Sequence, residues 1–364
     1  MRPGAAIESV SAAAYRVPTE RPEADGTLQW DATTLVVVDV RGGGRAGFGY
    51  SYGSAAMVQV VAELLAPAVI GGDAFAVEAA WNAMLRQVRN VGRPGVASTA
   101  VSAVDVALWD LKAKLCDVPL VALLGAARES VPAYGSGGFT SYSLDQLRAH
   151  VHGYVEQGLE RVKIKVGSDP QRDVERVGAS RAAAGAHVEL MVDANGAYAR
   201  KQALALAAAF AEHGVSWFEE PVSSDDLAGL RLLRDRCPPG MAIAAGEYGY
   251  DVGYFRRMLE AGAVDVLQAD ATRCLGVTGF MGASRLCQAF GVPLSSHTAP
   301  SLHVHVACAV TPLVHVEYFY DHVRIERMLF DGHRTPRAGR LAPDLTRPGL
   351  GVEFKRADAA RYAV

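Results

Sequence analysis

RVKIKV (161–166), VELMVDA (188–194) and VSWFEEP (215–221) are short apolar runs, each ending in charged or polar residues and separated by stretches of helical character. VPAYGSG (131–137) precedes them. AIAAGE (242–247), VDVLQAD (264–270), VPLSSH (292–297) and LVHVEY (313–318) follow at similar intervals. That gives eight candidate strands alternating with helices, and near-continuous apolar strands of this kind belong to a parallel sheet. The repeat length fits a (β/α)8 barrel, an α/β fold.

The first third reads differently. Residues 5–17, 33–40 and 47–52 are expected strands, the last two joined across GGGR. Helices are expected over about 55–68 and 74–90, the second with Asp73 as cap, and a third through STAVSAVDVALWDLKAKL, capped by Ser98 or Thr99. The expected organisation is an α+β capping domain over 1–125, a barrel over 126–330, and a polar segment over 331–364 that returns to the capping domain. Asp105 and Asp110, on the third helix, read as structural.

Bulk properties exclude several classes. The formal net charge of -3 is spread over interspersed acids and bases, which leaves no basic stripe for phosphates and argues against a nucleic-acid partner. No apolar run is long enough for a signal peptide or a membrane span, so a cytoplasmic protein without a membrane partner is expected. The cysteines are odd in number and widely spaced, without a CxxC, and read as buried free thiols.

The chemistry sits where a barrel needs it. Its active site forms at the C-terminal ends of the strands. There the sequence places Lys163 and Lys165, Asp193 and Asn195, Glu219, Glu247, Asp270, His297 and Glu317. Solvated charges scattered at random would not fall on the same end of seven successive strands. Asp193, Glu219 and Glu247, with no Cys or His ligand nearby, suit a hard cation, and Mg2+ fits best. Lys163 and Lys165 lie two apart on one strand and share a face. Two ammonium groups close together and near a metal are expected to depress each other's pKa, making Lys165 a base near neutral pH. Asp270 is expected to fix the tautomer of His297.

The motifs VKIKVG, VDANG, WFEEP, AAGE, LQAD, SSHT and HVEY, with SAVDVALWDLKAKL and PGLGVE, resemble the mandelate racemase subgroup of the enolase superfamily over almost the whole chain. Enolase-superfamily sites pair a Lys or His base with Mg2+. The resemblance implies Mg2+ ligation by Asp193, Glu219 and Glu247, and acid/base work by Lys165 and by His297 oriented by Asp270. It also implies that Lys163 neutralises a substrate carboxylate and that Glu317, if protonated, donates to the developing enediolate. Ser136 and Asn195 would contact the carboxylate end, and a homo-oligomer is expected. The chain departs from the family at GFGYSY, where many relatives carry an acid after the glycines.

The expected reaction is removal of the proton α to the carboxylate of a small substrate, through an enediolate. Dehydration of an acid sugar leads, because the polar segment about 17–31, with Arg21, and nearby Tyr50 and Tyr52 offer partners for hydroxyls. The alternatives are a 2-hydroxy-acid racemase or epimerase, a sugar-lactone cycloisomerase, a metal-dependent hydrolase, and a non-catalytic binding protein on the same fold. Three weaker motifs read as structural. Gly42–Gly47 matches GxGxxG but lies between strands, which makes it a hairpin turn. His303 and His305 form HxH in a helical stretch, where i and i+2 diverge. Glu220 is expected to face away from Glu219.

Overall fold

The computed structural model describes residues 4–364. The chain opens with a three-stranded antiparallel sheet, β1 (Ile7–Ala24), β2 (Gln29–Gly42) and β3 (Arg45–Tyr52), in that spatial order. Gly43 and Gly44, both at positive φ, make the β2–β3 turn, so the GxGxxG segment is a hairpin. The expected polar loop about 17–31 is instead the far end of the β1–β2 hairpin. Pro18 and Pro22 fall in β1, an edge strand, where missing donors are tolerated, and its register shifts between Pro18 and Glu23.

The helix Val96–Leu115 packs on this sheet. Alternation along β3 explains how. A Cβ at Gly47 would lie 2.1 Å from the Ala107 carbonyl, and one at Gly49 would lie 2.2 Å from that of Ala103. The glycines therefore let the helix backbone approach. Phe48, Tyr50 and Tyr52 point the other way, into the core shared with the barrel. The helix begins after Gly95, so neither Ser98 nor Thr99 caps it; Ser98 Oγ donates to the Arg273 carbonyl. Asp73 does not cap the helix Val77–Gln87, whose N-cap is Ala76. Asp110 accepts from Phe48 N and Leu350 N, both at 2.7 Å, and Asp105 accepts from Thr278 N at 3.0 Å. These two acids tie the helix to the sheet, the tail and the barrel.

Eight parallel strands close the barrel: β4 (Val131–Gly137), β5 (Arg161–Lys165), β6 (Glu189–Asp193), β7 (Val215–Glu219), β8 (Ala242–Ala245), β9 (Val266–Ala269), β10 (Leu294–Ser296) and β11 (Leu313–Phe319). β11 pairs back with β4, and helices follow the strands. The barrel interior is filled by Tyr134, Met191, Trp217, Ala244 and Val266, with the His315 ring 4.8 Å from Tyr134 and 5.2 Å from Trp217. It is a packed core, as this fold requires. After residue 330 the chain returns: Phe330–Asp331 pairs with Glu353–Phe354, Phe354 packs on Tyr15, and Arg356 pairs with Asp39. Of the cysteines, Cys116 is exposed, contrary to expectation. Among the described residues no helix is long and apolar enough to cross a membrane.

Two predictions follow from this packing. Gly49→Val drives a side chain into the helix backbone, and overpacking of that kind costs about 1–3 kcal/mol, read as a lower thermal midpoint. Glu23 is buried in the hairpin, accepts from Trp30 Nε1 at 3.0 Å, and is pushed up to about 8 by burial and then by Asp321. The folded state thus holds this proton more tightly than the unfolded chain, and stability falls as pH rises from 4.5 through about 8. Glu23→Gln should raise the thermal midpoint at about pH 9 and leave it little changed at about pH 4, where both states hold the proton.

Candidate active site

The lumen-facing residues of the barrel explain the site. Side chains two apart on a strand share a face. Met191 fills the core and Asp193 lies one step higher. Trp217 and Glu219, and His315 and Glu317, repeat the relation. Gly246, at φ +137, turns the chain after β8 and delivers Glu247; a Cβ there would lie 2.1 Å from the Gln268 carbonyl. Asp193, Glu219 and Glu247 are all buried, and one oxygen of each lies within 4.8 Å of the others. Glu247 Oε2 is buried without a hydrogen-bond partner. Three converging carboxylates and an orphaned oxygen are a donor set that fits a divalent cation.

Both lysines are fully engaged. Lys163 Nζ lies 2.5 Å from Glu219 Oε1 and 2.9 Å from Glu317 Oε1. Lys165 Nζ lies 2.5 Å from Asp193 Oδ2 and 3.1 Å from Asn195 Oδ1. Burial pulls both ammonium groups down, but the carboxylates outweigh it, Asp193 at Lys165 and Glu219 at Lys163, and both pKa values rise. Without a metal the lysines feel the acids more than each other; the expected depression is for the metal-bound site. Glu317 is drawn the other way. Burial raises its carboxyl, but Lys163 and then His297 hold it far below the usual range. Its Oε2 accepts from Thr298 N at 2.7 Å, an acceptor role that its lowered pKa favours.

His297 Nδ1 lies 2.8 Å from Asp270 Oδ2, leaving Nε2 3.3 Å from Glu247 Oε2. Asp270 Oδ1 accepts from Thr272 N and Thr272 Oγ1, both at 2.7 Å. Burial opposes the Asp270 charge, but the His297 hydrogen bond overrides it and the carboxyl stays ionised. His303 braces the pair. Its Nε2 accepts from Ala271 N at 2.9 Å and its Nδ1 donates to the Thr298 carbonyl at 2.8 Å. It thereby joins the loops that carry Asp270 and His297. His305 meets the Leu350 carbonyl instead, so HxH is not a metal pair.

A cavity of about 340 Å3 opens above these groups. Lys165, Asn195, Glu247, His297 and Glu317 line it, while Lys163, Asp193, Glu219 and Asp270 are buried outside its wall. Three expected contacts do not line it. Tyr50 is one strand step short of the mouth and donates to Glu326 Oε1 at 2.9 Å in the core; Tyr52, two residues on, lines the cavity instead. Arg21 lies on the outside of the hairpin over the Tyr142 ring. Ser136 is wholly buried in β4. Sequence reasoning missed Arg273, which lines the cavity 3.3 Å from Glu247 Oε1 and 3.7 Å from Asp270 Oδ2. The only signal was its place three residues after Asp270. Glu220 is not turned away: it stands past the strand end at φ +37, where alternation stops. Burial and then Glu247 push its carboxyl well above the usual range.

The hairpin tip closes the site from above. Thr140 N and Oγ1 donate to the Ala24 and Asp25 carbonyls at 2.8 and 2.7 Å. Gly26 is needed there, since a Cβ would lie 2.3 Å from the Ala194 carbonyl.

Residues 10–125 match the mandelate racemase/muconate lactonizing enzyme N-terminal domain, and residues 146–359 match the enolase C-terminal domain-like family. The chain is 33% identical over 369 residues to a 3,6-anhydro-alpha-L-galactonate cycloisomerase of Streptomyces coelicolor, covering 98% of this chain and 99% of the relative. A mandelate racemase/muconate lactonizing enzyme-like protein from Rubrobacter xylanophilus superposes with a TM-score of 0.96 at 53% identity, covering 98% of this chain and 99% of that one. L-Talarate dehydratase from Polaromonas sp. JS666, complexed with Mg and L-glucarate, superposes with a TM-score of 0.89 at 31% identity, covering 99% and 98%.

The brace at His303 is testable. His303→Leu leaves the buried Ala271 N–H without its acceptor, at about 1–3 kcal/mol, measured by chemical denaturation. His303→Gln, which keeps an acceptor, should recover part of that loss.

Proposed function

The chain belongs to the mandelate racemase/muconate lactonizing enzyme family of the enolase superfamily, and from that premise we propose that it removes the proton α to the carboxylate of an acid sugar and expels the β-hydroxyl as water. The observation that carries this reading is that Lys165, His297 and Glu247 line one cavity, with Asp270 bonded to His297 behind it and Asp193 and Glu219 grouped with Glu247 just beneath. Asp193, Glu219 and Glu247 would hold Mg2+, which when bound offsets their charge and draws electrons from the substrate carboxylate.

The remaining roles fall to the chain's own groups. Lys165 takes the α-proton at Nζ. Its proton is held by Asp193 in the arrangement described, so neutralising Asp193 is what frees it to act as a base. Lys163, buried between Glu219 and Glu317, supplies fixed positive charge for the carboxylate as it gains electrons. Glu317 holds Lys163 and the Thr298 amide in place. Asp270 occupies Nδ1 of His297, which leaves Nε2 to hand a proton to the departing hydroxyl. Asn195 orients Lys165.

A second reading rests on the cycloisomerase relative. Where the β-oxygen is tethered in a ring, the same elimination opens the ring with no change of mass. The groups and proton transfers are unchanged, and the product alone tells the two apart. Return of the proton with the β-oxygen retained would instead mark an epimerase.

The test is incubation with Mg2+ and a panel of acid sugars and their anhydro and lactone forms in D2O, read by NMR and mass. The expected result is α-deuteration or loss of water that falls by at least roughly 100-fold in Lys165→Ala and in His297→Asn. Turnover that both variants retain would contradict the assignment.

A further inference from the structure

The cavity has two ends of different chemistry. Its permanent cations, among the described residues, are Lys165 and Arg273, and both stand at the barrel end, already committed to acids. Lys165 lies 2.5 Å from Asp193, and Arg273 pairs with Glu247 and stacks over Tyr248. The opposite wall is built by the hairpin and the strand ends beside it: Leu28, Trp30, Ala32, Thr33, Tyr52 and Phe319. No cation stands there. Of the bases in the hairpin, Arg21 sits over Tyr142, Arg16 pairs with Asp31, and neither these nor Arg41 lines the cavity. The charged side chain that the tip does bring to the wall is an acid, Asp25.

The polar groups of that wall suit neutral partners. Thr33 Oγ1 is spent on Asp321. The Tyr52 hydroxyl is buried and has no partner in the protein. His322 lies with its ring 3.5 Å from that of Tyr52, and burial followed by His297 holds it well below the ordinary imidazole range, so it is uncharged. A carboxylate set against this wall would lose its water, find no cation, and meet Asp25. A hydroxyl, a methyl group or a ring ether meets no such penalty.

Resting on the acid-sugar reading, we infer that the substrate carries a single carboxylate, at the barrel end, and an uncharged, partly apolar far end. It is an aldonate, a deoxy-aldonate or an anhydro-aldonate, and not an aldarate. The inference separates two groups of compounds that the family reading leaves together.

The experiment uses the Mg2+-loaded full chain and stereochemically matched pairs of hexonates and hexarates, with 6-deoxyhexonates and 3,6-anhydrohexonates as third and fourth series. α-Proton exchange and turnover are followed in D2O. The expected kcat/KM is higher for the hexonate or deoxyhexonate than for its hexarate by roughly 100-fold or more. Leu28, 64% exposed at the hairpin tip, tolerates a new side chain, and Leu28→Arg should narrow that gap several-fold by giving the far end a cation. A hexarate turned over as well as its hexonate, or better, overturns the inference while leaving the acid-sugar reading in place. Exchange with none of the four series overturns that reading, and the inference with it.

Discussion

Five acids, Asp193, Glu219, Glu220, Glu247 and Glu317, are buried at the mouth of one barrel against two buried lysines. Carboxylates brought this close repel, and out of water each pays heavily unless it is paired. Lys163 and Lys165 pair with Glu219, Glu317 and Asp193, and Trp217 Nε1 donates to Glu219 Oε2 at 2.9 Å. Glu247 keeps one oxygen without a partner, and Glu220 another. Arg273 adds one more cation at Glu247, yet burial and mutual repulsion still push the Glu219 and Glu220 carboxyls upward, and a divalent cation would relieve that crowding. The other features of the site depend on this crowding: the raised lysines, the lowered Glu317, and the placement of His297 within 3.3 Å of Glu247.

The scaffold holds this charge by rigidity. The lumen below the site is filled with large side chains, so the strand ends have no room to collapse. Arg273 spans Glu247 and Asp270, and His303 ties the loop after β9 to the loop after β10. The acidic cluster and the imidazole pair are thus tied to each other. Above them the hairpin tip rests on backbone carbonyls through Gly26, which sets the height of the cavity and the chemistry of its far wall.

Much of this was legible in the sequence because strand periodicity is exact enough to carry it. Asp193, Glu219 and Glu317 each stand two residues beyond a core side chain, and the barrel rule puts those ends together. What escaped was whatever depended on neighbours from other strands. Lys163 and Lys165 were read against each other, when their acids come from β6, β7 and β11. Glu220 was read by strand alternation one residue after the strand had ended. Tyr50 was placed in the site and Tyr52 only near it, a difference of one step along β3 that depends on how the sheet docks. The polarity of residues 17–31 hid a long hairpin, since an exposed edge strand is as polar as a loop.

Mg2+ binding followed by titration calorimetry tests the central claim most directly, because it asks for the charge crowding itself and needs no substrate. The account predicts one saturable Mg2+ per chain, lost or strongly weakened in Glu219→Gln and in Glu247→Gln while the circular dichroism spectrum stays native. No saturable binding, or binding that both substitutions leave unchanged, would contradict it.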